Sequence, residues 1–307
     1  MLTADQLRER LKGLIVPMVT PFDPEGRLAL SAVHRVIHFL LDGGVDGIIP
    51  GDLVGEFHAL TLEERRILLR ESVQAAKGRM LVIGLTADPS LGNAIELARF
   101  AREVGADAIK LALPYPYVPP PSAIFEYFRK IIEEVADMPF LVESSEQMTL
   151  PLSLIAELCR WPNFVGLEEL GTDLGRLDRL FHEFSSRLII LPSGEAALLF
   201  LSLMGAPGLI AAEPNFAPAF MRAFLSACQT RDLDRALDLF GKRRRYRDLF
   251  RASLAQNIPM FTPYAKAAME LLGLPVGKPR PPFEILSAEE RGRLREVLRK
   301  EFGLSVE

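Results

Sequence analysis

At 307 residues the chain is long enough to bury one large core or two average ones, and 49% hydrophobic residues, 25% charged residues and a formal net charge of −4 describe an ordinary globular composition. That balance excludes a nucleic-acid binder driven by bulk positive charge; the short basic run 242–245 (Lys-Arg-Arg-Arg) is expected to face solvent on a helix. Cys159 and Cys228 lie far apart inside apolar helical patterns, which suggests neither a disulfide framework nor a Cys-based metal site, so a reducing cytoplasm is the expected location.

Residues 1–12 are charged and lack an apolar signal core, and no apolar run reaches bilayer-spanning length, so neither export nor membrane insertion is expected. Beyond them, short runs rich in Val, Ile and Leu predict strands at 13–19, 47–50, 80–85, 108–113, 140–143, 164–168, 188–191 and 208–212. Longer stretches with helical periodicity lie between them, such as 31–42, 61–76 and 91–104. Thr61 with Glu64 three residues later forms a capping box at the head of the second. The alternation argues for parallel strands with crossover helices, and eight such units suit a closed (β/α)8 TIM barrel better than an open doubly wound sheet. No GxGxxG follows the first strand. The segment 114–121, with five prolines and two tyrosines, reads as a stiff loop over the barrel mouth. After the eighth strand the pattern is wholly helical, at 217–229, 233–254, 262–272 and 287–301. The expected organisation is a barrel over 1–216 and a helical extension over 217–307 packed on it as a single structural unit, since no low-complexity linker separates them.

In order along the chain stand Val19-Thr20-Pro21-Phe22, Gly55-Glu56, Leu60-Thr61-Leu62-Glu63-Glu64-Arg65, Gly105-Ala106-Asp107-Ala108, Pro114-Tyr115 and Val165-Gly166-Leu167. Ser193-Gly194, Asn215-Phe216-Ala217-Pro218, Lys266-Ala267-Ala268-Met269-Glu270-Leu271-Leu272-Gly273 and Arg280-Pro281-Pro282 follow. This succession resembles the dihydrodipicolinate synthase and N-acetylneuraminate lyase family over nearly the whole chain. The resemblance implies a lysine at the end of strand six that forms an imine with pyruvate or another 2-oxo acid, and a tyrosine on strand five as proton shuttle. Aligned without gaps, Glu168 stands at the lysine position and Glu143 at the tyrosine; a carboxylate forms no imine. Met148 falls where some members hold a substrate carboxylate with arginine, and Leu53 and Val54 replace the paired threonines that bind it. Tyr115 is kept, while Pro116 replaces a second tyrosine and Tyr117 follows. By the same resemblance, Gly194 and Ile210 are expected among the ligand contacts, no cofactor is required, and the chain assembles as a dimer of dimers.

Active sites of such barrels lie at the C-terminal ends of the strands, and those ends are acidic here. Asp52 follows strand two, Glu143 ends strand five, Glu168 ends strand six, Glu195 follows strand seven and Glu213 ends strand eight, whereas Glu56 and Glu169 are read as structural. Two carboxylates held together need a cation between them or a shared proton. Three resolutions stay open. A divalent metal, Mg²⁺ or Mn²⁺, bound by Glu143 and Glu168 is one. Another is Lys110, which strand alternation turns into the barrel with Ala112 while Ile109, Leu111 and Leu113 face the helices; it serves as an ion-pair partner or as a relocated imine-forming amine. The third is a shared proton, leaving one carboxyl as acid and the other as base. His58 sits two residues after Glu56 and is read as a loop histidine or a general base. His34 and His38 are read as a helix-surface pair, and His182 carries no signal.

These readings give an expected function with two alternatives. The first is a lyase, hydratase or aldolase acting on a small oxo or hydroxy acid without the lysine imine; the others are a non-catalytic binding or regulatory relative, and an imine enzyme working through Lys110.

Overall fold

The computed structural model describes residues 2–113, 119–145, 148–251, 253 and 260–306. Eight parallel strands alternate with helices as a (β/α)8 barrel: β1 Gly13–Met18, β2 Gly47–Pro50, β3 Leu81–Leu85, β4 Ala108–Leu111, β5 Phe140–Ser144, β6 Phe164–Glu169, β7 Ile189–Pro192 and β8 Gly208–Ile210. They are ordered β7-β6-β5-β4-β3-β2-β1-β8, and the two ends of that order, β7 and β8, run side by side. The physical cause is the apolar runs themselves: β1, β2, β3, β4, β6 and β8 are buried throughout, as parallel strands covered on both faces must be. All eight expected strands form, each within two residues of its expected ends.

By contact density the chain divides into two compact units. The first holds residues 1–15, 46–49 and 80–210. Here Asp46 and Asp107, just ahead of β2 and β4, accept hydrogen bonds from the Leu14 and Val82 amides at 2.8 and 2.9 Å, pinning the entry of one strand to its neighbour. Gly208 lies against Gly13 so closely that a Cβ on it would stand 2.6 and 2.7 Å from the Gly13 amide nitrogen and carbonyl oxygen. The unit also contains a helix that the periodicity does not predict, α1 (Ala4–Arg10), started by a capping box between Thr3 and Gln6. It packs on β6: Leu7 and Leu11 are buried, and a Cβ on Gly166 would come within 2.8 Å of Leu11 Cδ2. Further along come α4 (Leu91–Glu103), α5 (Pro121–Glu134), α6 (Leu152–Leu158), α7 (Leu174–Phe184) and α8 (Ala196–Met204).

The second unit holds residues 16–45, 50–79 and 211–307. It contains α2 (Leu30–Asp42), α3 (Leu62–Ala76), α9 (Pro218–Gln229), α10 (Leu233–Asp248), α11 (Phe261–Leu271) and α12 (Ala288–Phe302). The C-terminal helices therefore cluster with the segments carrying α2 and α3, and residue 217 begins no unit of its own. The capping box of α3 forms as its spacing requires, with the Glu64 amide donating to Thr61 Oγ1 and the Thr61 amide to Glu64 Oε2. Phe216, Tyr246, Phe250, Tyr264 and Phe302 make the aromatic core between α10, α11 and α12. The basic run does not face solvent as a block. Arg243 is buried and its Nε lies 2.9 Å from Glu213 Oε1, while Lys242 pairs with Asp238 and Arg245 with Glu301. A helix of four consecutive basic residues must turn at least one of them inward, and Glu213 supplies the charge that makes this tolerable.

Among the described residues no helix is long and apolar enough to cross a membrane. The loop expected over the barrel mouth, with Tyr115, Pro116 and Tyr117, falls largely outside the described residues.

Candidate active site at the ends of β4, β5 and β6

The register of three adjacent strands in the first unit brings the site together. Lys110 on β4 stands opposite Leu141 on β5, and Glu143, two residues further along β5, therefore shares the face of Lys110. Glu143 is in turn level with Glu168 on β6. Two carboxylates at adjacent strand positions would repel, and Lys110 answers them. Its Nζ lies 2.7 Å from Glu143 Oε2 and 2.5 Å from Glu168 Oε2. The lysine side chain is 1% exposed and that of Glu168 5%, whereas Glu143, at 21%, presents the open edge of the cluster. The Lys110 side chain thus lies between the two carboxylates. The backbone of Lys110 is held as well, since its carbonyl accepts from both the amide and the hydroxyl of Thr86.

Alternation along β6 fixes which glutamate takes part. Glu169 points to the opposite face from Glu168, where its Oε2 accepts from Arg176 Nη2 of α7 at 3.0 Å and its Oε1 from the Gly171 amide at 2.8 Å. Arg176 also donates to Ser144 Oγ, which ties the ends of β5 and β6 together. Glu169 is thus structural, as its position suggests, and by locking its own strand it keeps Glu168 turned inward. The partner Arg176 leaves no mark in the sequence beyond its place one turn into α7.

The remaining site candidates are distributed otherwise. In the second unit Asp52 is buried and its Oδ1 accepts from the Leu53 amide at 2.7 Å, Leu53 is exposed, and the carbonyl of buried Val54 accepts from Thr262 Oγ1. Gly194 takes a positive φ of 71° that suits glycine, Glu195 directly precedes α8 half-buried, and Ile210 is buried in register with Ile15. Met148 donates its amide to Ser145 Oγ. Tyr115 lies outside the described residues. Glu213, expected as a ligand-binding acid, has its carboxylate buried against Arg243, a partner 30 residues on that only the folding of α10 brings to it.

Glu56 is also structural. Fully buried, it takes Lys266 Nζ at 2.7 Å and the Arg280 amide at 2.7 Å, while Phe22 lies 4.2 Å from Lys266 Nζ and 4.3 Å from Arg280 Cζ. Burial, opposed by Glu56, pulls the Lys266 ammonium down to about 8. His58 is exposed, with its ring edge-on to Phe57 and Phe283, and partial desolvation lowers its pKa. His34 finds its partner in Glu71 of α3 at 2.8 Å rather than in His38. Both cysteines are free thiols, and burial raises Cys228 to about 11.

Among the described residues no group of three or more His, Cys, Asp or Glu is placed to hold a metal ion, and a divalent ion between Glu143 and Glu168 would have to displace Lys110 Nζ.

The sequence model of the dihydrodipicolinate synthetase family matches residues 10–301. The 4-hydroxy-tetrahydrodipicolinate synthase of Methanoculleus marisnigri is 30% identical over 293 residues, covering 94% of this chain and 98% of that protein. Among solved structures, the dihydrodipicolinate synthase from Oceanobacillus iheyensis superposes with a TM-score of 0.87 at 27% identity, covering 96% of this chain and 98% of its own. The N-acetylneuraminate lyase from Mycoplasma synoviae gives 0.85 at 26% identity, covering 96% and 99%.

Proposed function

We infer, because this chain belongs to the dihydrodipicolinate synthetase family, whose members are lyases of this barrel, that it too is a lyase, hydratase or aldolase, and that it works on a small oxo or hydroxy acid without a lysine imine. The observation that carries this reading is the Lys110 ammonium held between Glu143 and Glu168. An amine must be free to attack a carbonyl, and the Nζ of this one is already engaged by two carboxylates at hydrogen-bond distance.

The same arrangement supplies an alternative chemistry. Glu143, the exposed member, acts as base and removes the hydroxyl proton of a β-hydroxy carbonyl compound. The carbon–carbon bond breaks and its electron pair moves into the carbonyl to make an enolate. The negative oxygen is stabilised by the Lys110 ammonium, which Glu168 holds in place from below. Protonated Glu143 then returns its proton to the enolate carbon. One positive group fixed beforehand in a largely dry position is what such a step needs.

Incubation with pyruvate and borohydride followed by mass spectrometry is expected to leave the chain mass unchanged, and an adduct on Lys110 overturns the reading in favour of a relocated imine. Glu143→Gln is expected to lower turnover by about 10²–10⁴-fold. A divalent metal at the same carboxylates instead predicts a thermal shift with Mg²⁺ or Mn²⁺ in the wild type that Glu143→Gln abolishes.

One observation favours a second reading, a non-catalytic binding relative: Lys110 is 1% exposed and already matched by carboxylates. That reading predicts ligands that raise the melting temperature with no turnover across an oxo- and hydroxy-compound panel. Under either reading the partners are small molecules and further copies of this chain, assembled as a dimer of dimers.

A further inference from the structure

The charges of the β4–β6 cluster do not balance. One ammonium faces two carboxylates, and the ammonium is the buried member while Glu143 is the exposed one. An arriving ligand therefore meets negative charge first. In sequence, the segments that follow β4, β5, β6 and β7, residues 112–120, 145–151, 170–173 and 193–195, contain no lysine or arginine. The nearest arginine in sequence, Arg176, is bound to Glu169 and Ser144 on the opposite face of β6. A ligand carboxylate here would bring a further negative charge beside Glu143 while Lys110 Nζ is already engaged by two carboxylates, and in a partly desolvated site that repulsion is several times stronger than in water.

Carboxylates are acceptor-only groups, so the ligand must bring donors, and hydroxyls bring them without charge. We propose that the ligand of this site is a neutral polyhydroxy carbonyl compound and that the Glu143–Lys110–Glu168 cluster excludes carboxylates. The inference rests on the reading of the β4–β6 ends as the working centre, and it departs from the oxo or hydroxy acid that the family resemblance implies. Glu143 receives ligand hydroxyls, the carbonyl oxygen turns to the ammonium, and Glu168 keeps the ammonium from being drawn to solvent.

Matched pairs of three-carbon ligands test it: dihydroxyacetone against pyruvate, and glyceraldehyde against glycerate, each titrated into the full-length wild-type chain by ligand-observed NMR. The neutral member of each pair is expected to bind at least tenfold more tightly, and Glu143→Gln, which removes the exposed negative charge, is expected to shrink that ratio at least threefold. The proposal is overturned if the acids bind as tightly as their neutral partners, or if neither neutral compound binds saturably. Because the readout is binding, the two claims fail separately. Glyceraldehyde, the neutral ligand with a β-hydroxyl, bound without turnover counts against the lyase reading alone, whereas an acid that binds and is turned over overturns the proposal alone.

Discussion

Lys110 shows how a single side chain decides whether two acids can share a site. Without its ammonium, Glu143 and Glu168 would stand level on adjacent strands with no cation between them, and Glu168 is nearly inaccessible to water. Lys110→Met is therefore expected to cost about 3–5 kcal/mol in urea unfolding, the range for removing one partner of a buried pair, and adding Glu168→Gln should recover part of it. A single-variant cost under about 1 kcal/mol would show the cluster to be solvated instead. In the second unit, burial pulls Lys266 to about 8 from an ordinary 10.5. Between those values the unfolded chain holds the proton that the folded chain has released, so this group's contribution to stability rises with pH through that window. The stability gap between the wild type and Lys266→Met should accordingly widen between pH 8 and pH 10, on the order of 1–3 kcal/mol. Guanidinium titrations of both proteins at the two pH values measure it; a constant gap would mean that Lys266 keeps its ordinary titration.

Strands and helices differ in how their formation depends on particular residues. The strands of this chain are continuous apolar runs, so any one methyl group matters little to their existence, yet their approach to each other can depend on an absent one. Gly208 meets the backbone of Gly13, which has no rotamer with which to give way. Gly208→Ala is expected to destabilise the protein by about 3 kcal/mol, whereas Gly205→Ala, at the end of α8 with nothing near its missing Cβ, meets only the strain of its positive φ and should cost less. For α3 the local signal and the structure coincide, because a capping box is made from residues three apart that the helix itself brings together. Thr61→Ala should cost about 1 kcal/mol in thermal or chemical unfolding, and a loss below a few tenths would mean that α3 is held by its packing on α2 alone.

For the whole molecule, architecture and chemistry rest on different residues. Barrel stability comes from apolar runs and their registers, while chemistry comes from a few residues at the C-terminal ends, so the two can vary separately. Assembly belongs with the scaffold on this view, and sedimentation velocity is expected to show a tetramer; a monomer at micromolar concentration would refute the inherited assembly. The strands, most helix limits and the inward direction of Lys110 were all legible in the amino-acid order, since each follows from periodicities of two or 3.6 residues that neighbours in the chain impose on one another. The fates of Glu213 and Arg243, of Glu56 and Lys266, and the grip of Glu143 and Glu168 on one ammonium were not. Those pairs join residues 30 to 210 positions apart, and local periodicity says which way a charge faces but not which opposite charge the completed fold carries to it.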